Sequence, residues 1–173
     1  NKAIVIDTTA PVVTSVTSST ADGAYTVGSV ITLQVGFSEA VIVTGTPQLT
    51  VNLGATNRAV NYKSGTGSGT LTFTYTVQAG DTSADLDYVS ATSLAGTITD
   101  VATNAATLTL PTPGAAGSLG ANNAIAVDGV VPTITSVSVP ASGTHLLGQS
   151  LEVLVSVSEP ITVIGSPSTA LMI

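Results

Sequence analysis

The sequence predicts an all-β fold, an antiparallel two-sheet sandwich written more than once along the chain, on three observations. Apolar residues alternate with Thr and Ser, turn-forming residues recur roughly every 8 to 12 positions, and the opening of the chain is written again past its middle. The alternation is clearest from Thr70 to Gln78, with Leu71, Phe73, Tyr75 and Val77 on one face and Thr70, Thr72, Thr74 and Thr76 on the other. Val30 to Phe37 behaves likewise, with Ile31, Leu33, Val35 and Phe37 together. A period of two belongs to a strand with one packed and one wet face. No stretch holds a helical period.

The repetition has a fixed offset. Residues 1–7, NKAIVID, match 122–128, NNAIAVD, and Asp7-Thr-Thr-Ala-Pro11 matches Asp128-Gly-Val-Val-Pro132, all 121 positions apart. After a one-residue deletion, Phe37-Ser-Glu-Ala-Val-Ile-Val-Thr-Gly-Thr-Pro47 matches Val157-Ser-Glu-Pro-Ile-Thr-Val-Ile-Gly-Ser-Pro167, now 120 positions apart. The chain therefore reads as an excerpt of a tandem array: the final strand of one repeat (1–6), a complete repeat (7–127) and the N-terminal third of the next (128–173). Such a unit is too long for a solenoid repeat and long enough to bury its own core.

In chain order, Val12 to Ser18 reads as a strand and Ser19 to Gly23 as a turn. Val30 to Phe37 is the second strand, Glu39 to Pro47 a loop or short irregular strand, and Gln48 to Leu53 a third strand ended by Gly54. Arg58 to Lys63 is a more polar strand, joined through the glycine-rich stretch Ser64 to Gly69 to the strand at Thr70 to Gln78. Asp85 to Ala91, Gly96 to Asp100, Ala106 to Leu110 and Asn123 to Val127 complete the unit. Many short strands between turns predict Greek-key connections of the immunoglobulin-like kind.

Composition excludes several functions. Of 173 residues 8% are charged, with 3 Lys and Arg against 10 Asp and Glu, a net charge of −7. Lys2, Arg58 and Lys63 form no basic patch, which argues against nucleic acid as a partner. Mean hydropathy is +0.52, yet no apolar run approaches the roughly 18 residues of a spanning helix, so no membrane insertion by this segment is expected. There is no cysteine, so disulfides do not carry the fold. Scarce lysine and abundant Thr, Ser, Gly and Ala in a repeated domain point to an extracellular bacterial surface protein.

Together, Asp7-Thr-Thr-Ala-Pro, Phe37-Ser-Glu-Ala-Val, Thr44-Gly-Thr-Pro47, Leu71-Thr-Phe-Thr-Tyr75, Asp85-Leu-Asp-Tyr88 and Ile98-Thr-Asp-Val-Ala-Thr-Asn-Ala-Ala106 resemble the bacterial Ig-like repeats of giant surface proteins. These include the extender regions of RTX-type adhesins and the repeats linked with a swimming-associated cyanobacterial surface protein. The resemblance covers the complete repeat and the start of the next. It implies an extracellular rod of Ig-like domains, often with calcium at the domain junctions. One departure is Thr103, where the family commonly has the glycine of Asp-x-x-Gly-Asn.

In such a sandwich the entry linker, the loop after the second strand and the loop before the final strands share one end. That places Asp7, Glu39, Asp100 and Asn104 together as candidate calcium ligands, with Asp128 and Glu159 as the counterparts of Asp7 and Glu39 in the next unit. Calcium suits a set of hard oxygen ligands. The competing account is a linker-orienting carboxylate among solvated loop acids. Asp22, Asp81 and Asp85 are candidates at the opposite end, although Asp22-Gly23 and Gly80-Asp81 are turn formers whose aspartates usually bond their own backbone.

Other chemistry is weakly represented. Asp85 and Asp87 fall on one strand face without an evident cleft, which disfavours glycoside hydrolysis, and Tyr88 resembles a tyrosine corner tying a loop to a strand. His145 is the only histidine and sits in a predicted loop without a catalytic partner. Phe37, Phe73 and Tyr75 fall at inward positions, leaving Tyr25 and Tyr62 as exposed aromatics for a glycan-binding module. The expected function is thus a non-enzymatic structural spacer, the stalk of a repetitive cell-surface adhesin or extracellular filament. Its partners would be neighbouring repeats and other copies in a filament. A fibre subunit joined by strand addition is the alternative.

Overall fold

The computed structural model describes residues 6–168. The strand expected at 1–6 therefore falls almost wholly outside the described residues. The chain divides into two compact units, Asn1–Val130 and Val131–Ile173. Nearly all regular structure is β, and the sheets are antiparallel apart from the short pairings named below.

In the first unit the strands are β1 (Val13–Ser18), β2 (Gly23–Thr26), β3 (Val30–Leu53), β4 (Thr56–Ser64), β5 (Ser68–Thr76), β6 (Thr82–Ser83), β7 (Asp87–Tyr88), β8 (Leu94–Thr99) and β9 (Ile125–Asp128), with one helical turn, α1 (Leu119–Asn122). The predicted second and third strands are one element. β3 runs unbroken for 24 residues through the segment expected to be a loop or short irregular strand. Its first part, Val30–Gly36, lies between β1 and β5, and its last part, Gln48–Leu53, pairs with β4, β7 and β8. β4 follows the same course, bonding β3 through Thr56–Asn61 and β5 through Tyr62 and Ser64. The two-residue turn between β3 and β4 needs Gly54, whose φ is 73° and whose α-carbon faces Thr82 Oγ1.

Ile31, Leu33, Val35 and Phe37 from β3 and Leu71, Phe73 and Tyr75 from β5 are buried, as their alternation predicts, in one apolar cluster with Val51, Leu53 and Tyr88. Three short features are absent from the sequence reading. β2 falls where part of a turn is predicted and pairs parallel with β9, β6 joins β9 from the other side, and α1 is capped by Ser118. Conversely, Ala106 to Leu110 is not a strand; only Ala105 and Thr107 make isolated bridges, to Thr99 and Val12.

The chain enters beside Phe37, at the end of the Val30–Phe37 part of β3, where the Val12 carbonyl accepts from Ser38 N at 2.9 Å. It leaves at the opposite end. Val30 pairs with Thr76, and the turn after β5 holds Gly129, with Gly80 N donating to the Gly129 carbonyl at 2.8 Å and Gly129 N to the Asp81 carbonyl at 2.7 Å. A β-carbon at Gly129 would collide with the carbonyl oxygen of Gln78 and the backbone of Asp81.

That turn is anchored from within. Asp81 is not a solvated turn residue: its carboxylate is buried and accepts from Arg58 Nε and Nη2 at 3.0 and 2.8 Å, from the Tyr75 hydroxyl, and from Gln78 N at 3.2 Å. Burial alone would raise the Asp81 pKa, but Arg58, Tyr75 and Gln78 outweigh it and hold the carboxyl below its ordinary value. Tyr75 is pushed up to about 12, first by burial and then by its bond to Asp81. Asp22 bonds Ala124 N at 3.0 Å rather than its own turn, fastening the start of β2 to the approach to β9.

The second unit contains β10 (Ile134–Ser138) and β11 (Leu154–Val157), paired antiparallel. Their register reproduces that of β1 and β3. Val13↔Phe37, then a bulge, then Ser15↔Gly36 and Val16↔Val35 become Ile134↔Val157, a bulge, Ser136↔Ser156 and Val137↔Val155. Ser38 bonds Val12 through both N and Oγ, and Ser158 bonds Thr133 in the same two ways.

Asp81→Asn breaks a buried ionic cluster and is expected to lower unfolding stability by about 3 kcal/mol in urea titrations at pH 7. Because the folded carboxyl has a depressed pKa, its contribution is complete above the unfolded value of about 4 and is lost as pH falls through the folded value. The difference between wild type and variant therefore narrows in the same titrations as the pH is lowered below about 4.

Candidate metal centre

Three carboxylates from distant positions meet at the entry end of the first unit. One oxygen each from Asp7, Glu39 and Asp100 lies within 4.8 Å of the others, the one such group of three or more potential ligands among the described residues. Each arrives by a different route. Asp7 precedes β1, Glu39 lies in β3 just beyond its pairing with β1, and Asp100 directly follows β8.

Backbone hydrogen bonds bring them together. The entry segment is stitched to β3 through Val12 and Ser38 and to the chain after β8 by Thr107 N donating to the Pro11 carbonyl at 2.8 Å. The β8 end folds back sharply, with Asp100 N bonding the Asn104 carbonyl at 3.1 Å and Ala106 N the Ile98 carbonyl at 2.9 Å. Asn104 clasps the two sides. Its Nδ2 donates to the carbonyls of Asp7 and Thr9 at 3.2 and 3.3 Å and to Asp100 Oδ2 at 2.6 Å, while its backbone N donates to Asp100 Oδ1 at 2.7 Å. Asn104 thus joins the group through nitrogen, as the donor that orients Asp100, rather than by presenting an oxygen.

The acids differ in surroundings. Asp100 is 2% exposed, Glu39 half-buried and Asp7 exposed, with Asp7 Oδ1 accepting from Thr9 N at 3.0 Å. The Glu39 pKa is raised, first by partial desolvation and then by the negative charges of Asp7 and Asp100. Glu39 is thus the carboxylate that the surroundings make least comfortable as an anion. A hard divalent cation among these oxygens would reverse that repulsion, and calcium's tolerance of irregular oxygen sets suits a group open to water on the Asp7 side.

The turn that aims Asp100 depends on Thr103. Its φ of 72° is the only positive value at a non-glycine residue among the described residues. Thr103 thus holds a left-handed backbone form that ordinarily favours glycine, at a cost in strain.

The remaining candidates have other partners. Asp128 Oδ1 accepts from Val130 N at 3.1 Å, repeating the Asp7 to Thr9 bond, and Glu159, the counterpart of Glu39, has a buried Oε1 with no hydrogen-bond partner among the described residues. Asp128 belongs to the first unit and Glu159 to the second. Asp85, Asp87 and Asp128 line a groove with Asn52 and Thr82, but Asp87 is already engaged by Tyr88 N and Gly114 N, both at 2.9 Å. Tyr88 is buried and its hydroxyl bonds the Pro111 carbonyl, tying the loop after residue 110 to β7. Its pKa is pushed up to about 12, by burial and then by Asp87.

Tyr25 and Tyr62 are not free aromatic platforms. Both pack against the core, the Tyr25 hydroxyl donates to the Ala21 carbonyl at 2.6 Å, and the Tyr62 hydroxyl accepts from Thr66 N at 2.9 Å. Tyr62 also meets Phe73 edge to face at 6.1 Å. His145 is exposed in the loop between β10 and β11.

Compared with known proteins, the chain matches no family model, no curated protein and no solved structure.

Thr103→Gly relieves the left-handed strain and is expected to raise unfolding stability by about 0.5–1 kcal/mol, the strain released less the extra flexibility of glycine in the unfolded chain. Thermal or urea unfolding of the two proteins side by side measures it, and a loss of stability would show that the Thr103 side chain holds the turn.

Proposed function

We propose that this chain is a segment of a structural spacer, the stalk of a repetitive bacterial cell-surface adhesin or extracellular filament. Its immunoglobulin-like sandwich units follow one another in tandem, and calcium stiffens the point where the chain enters a unit. The observation that carries the reading is the convergence of Asp7, Glu39 and Asp100 at that entry. A cation there would tie the linker, β3 and the end of β8 to one charge centre. The linker would then lose its freedom to swing.

The fold supports a load-bearing role. The chain enters at one end of Val30–Phe37 and leaves at the other, a separation of about 24 Å along the strand. Tension applied through the chain runs along the strands, so hydrogen bonds between β1 and β3 are sheared together rather than opened singly. At the exit, Gly129 is held by the turn that Asp81, Arg58 and Tyr75 anchor. The equivalent registers of β1 with β3 and β10 with β11, bulge included, favour a tandem array of one module. Outward Thr and Ser keep the wall wettable at low charge.

Calcium added to the metal-free protein is expected to raise the melting temperature by several degrees, with a Kd of about 10⁻⁴–10⁻³ M, as for extracellular calcium modules. Glu39→Gln is the diagnostic variant. Without metal it removes the repulsion that raises the Glu39 pKa, so it melts higher than wild type at pH 7; with calcium its advantage disappears because the metal loses a charged ligand. Scanning calorimetry and isothermal titration with calcium, magnesium and chelator test this. A wild type insensitive to calcium up to about 10 mM, well above that range, would refute the metal reading.

A further inference from the structure

The segment that leaves the first unit does not hang free. Gly129 is buried, and its backbone bonds on both sides to the turn after β5, donating to the Asp81 carbonyl at 2.7 Å and accepting from Gly80 N at 2.8 Å. Asp128, just before it, pairs with Thr82 of β6, and Asp128 Oδ1 accepts from Val130 N at 3.1 Å. The chain is therefore bonded to the first unit as far as Val130. The second unit takes hold at Thr133, whose N donates to Ser158 Oγ at 3.0 Å and whose carbonyl accepts from Ser158 N at 2.9 Å. Only Val131 and Pro132 lie between. The proline ring fixes its own φ and confines Val131 to extended backbone.

The seat of Gly129 accepts no side chain. A β-carbon there would lie under 3.0 Å from the Gln78 carbonyl oxygen and from the backbone nitrogen and oxygen of Asp81. The turn is not free to draw back and make room, because the Asp81 carboxylate is buried and held by Arg58, Tyr75 and Gln78 N. At the same place where the chain enters the first unit, 121 positions earlier, stands Thr8, which is exposed. Asp7 accepts from Thr9 N as Asp128 accepts from Val130 N, so the two segments turn alike and differ in the residue that would be seated.

We propose that residues 128–132 form a stiff link built without metal, in which Gly129, seated on the turn at 78–81, leaves Val131 and Pro132 as the only free length. Whether an exit is seated is then written at one position. Glycine permits it, and a side chain such as that of Thr8 forbids it on a turn of this shape. The link goes beyond the calcium reading because it draws on none of Asp7, Glu39 and Asp100, and either can fail while the other stands.

Amide exchange and nitrogen relaxation, followed by NMR on the whole chain in chelator, test the proposal. The Gly80 and Gly129 N–H groups are expected to exchange at least about 100-fold more slowly than unstructured amides, and the heteronuclear NOE should stay at the level of β9 through Val131. Gly129→Thr should speed exchange at Gly80 and at residue 129 by at least about 10-fold while Leu71 and Phe73 in β5 keep their protection, which marks the loss as local. Thr8→Gly should change neither. An unprotected Gly129 amide in chelator, or a Val131 N–H that relaxes like an unstructured chain, overturns the proposal without any variant. So does protection that appears only with calcium, or that survives Gly129→Thr.

Discussion

The first unit depends on one strand, β3, to which every other strand of its six-stranded sheet is bonded. β3 supplies hydrogen bonds to β1, β4, β5, β7 and β8, so the position of every other long strand is fixed relative to it. Two edges of backbone donors and acceptors over 24 residues can be satisfied only if several strands converge on the same segment. Glu39 lies where pairing with β1 has ended and pairing with β8 has not begun, in the gap between Gly36 and Val41 where the ladder with β5 shifts register. A carboxylate at such a transition is neither wholly packed nor free to leave, which is why it meets Asp7 and Asp100.

The two ends of the unit solve the same problem by different chemistry. At the exit a buried carboxylate, Asp81, has a guanidinium, a phenol and a backbone N–H, and its charge is fully matched within the protein. At the entry the acids have Asn104 and backbone donors, which orient them without cancelling their charge. A buried ion pair contributes little net stability against an apolar substitute, but losing one partner is costly, so the exit tolerates little change. At the entry a cation from outside would supply the positive charge that the protein does not.

Much of the architecture is legible from alternation alone, because a strand with one wet face writes its orientation into every second residue. Leu71, Phe73 and Tyr75 show this, as do Ile31, Leu33 and Val35. Alternation cannot say whether two strands are one, so the continuity of β3 through Glu39 to Pro47 is lost in a stretch rich in Thr, Gly and Pro. It is equally blind to β2, whose four residues gain their place only from the parallel partner β9, about a hundred residues away. The acidic group is legible because acids are rare and topology predicts which loops share an end. Asp81 does bond its own turn at Gln78 N, but its burial against Arg58 is not legible because Arg58 is 23 positions earlier and nothing local marks the pair. The scarcity of cations is the signal that was there to use: with 3 Lys and Arg in the chain, an arginine in a half-buried strand invites the question of which acid it serves.

That scarcity also bears on the entry site. A fold with 10 acids and 3 Lys and Arg has few ways to neutralise a cluster from within, and Arg58 is committed to Asp81 at the far end of β3. Covering the cluster with lysine would fix its charge permanently and hold the linker in all conditions. With three carboxylates left together, a divalent ion from outside could make the same joint, and under the proposed calcium reading its stiffness would follow the concentration of that ion. The Glu39 pKa is raised first by desolvation and then by the charges of Asp7 and Asp100, and a proton or a cation would relieve the part that comes from those charges. At neutral pH a cation would be the more effective of the two, because it would engage all three carboxylates at once whereas a proton satisfies one.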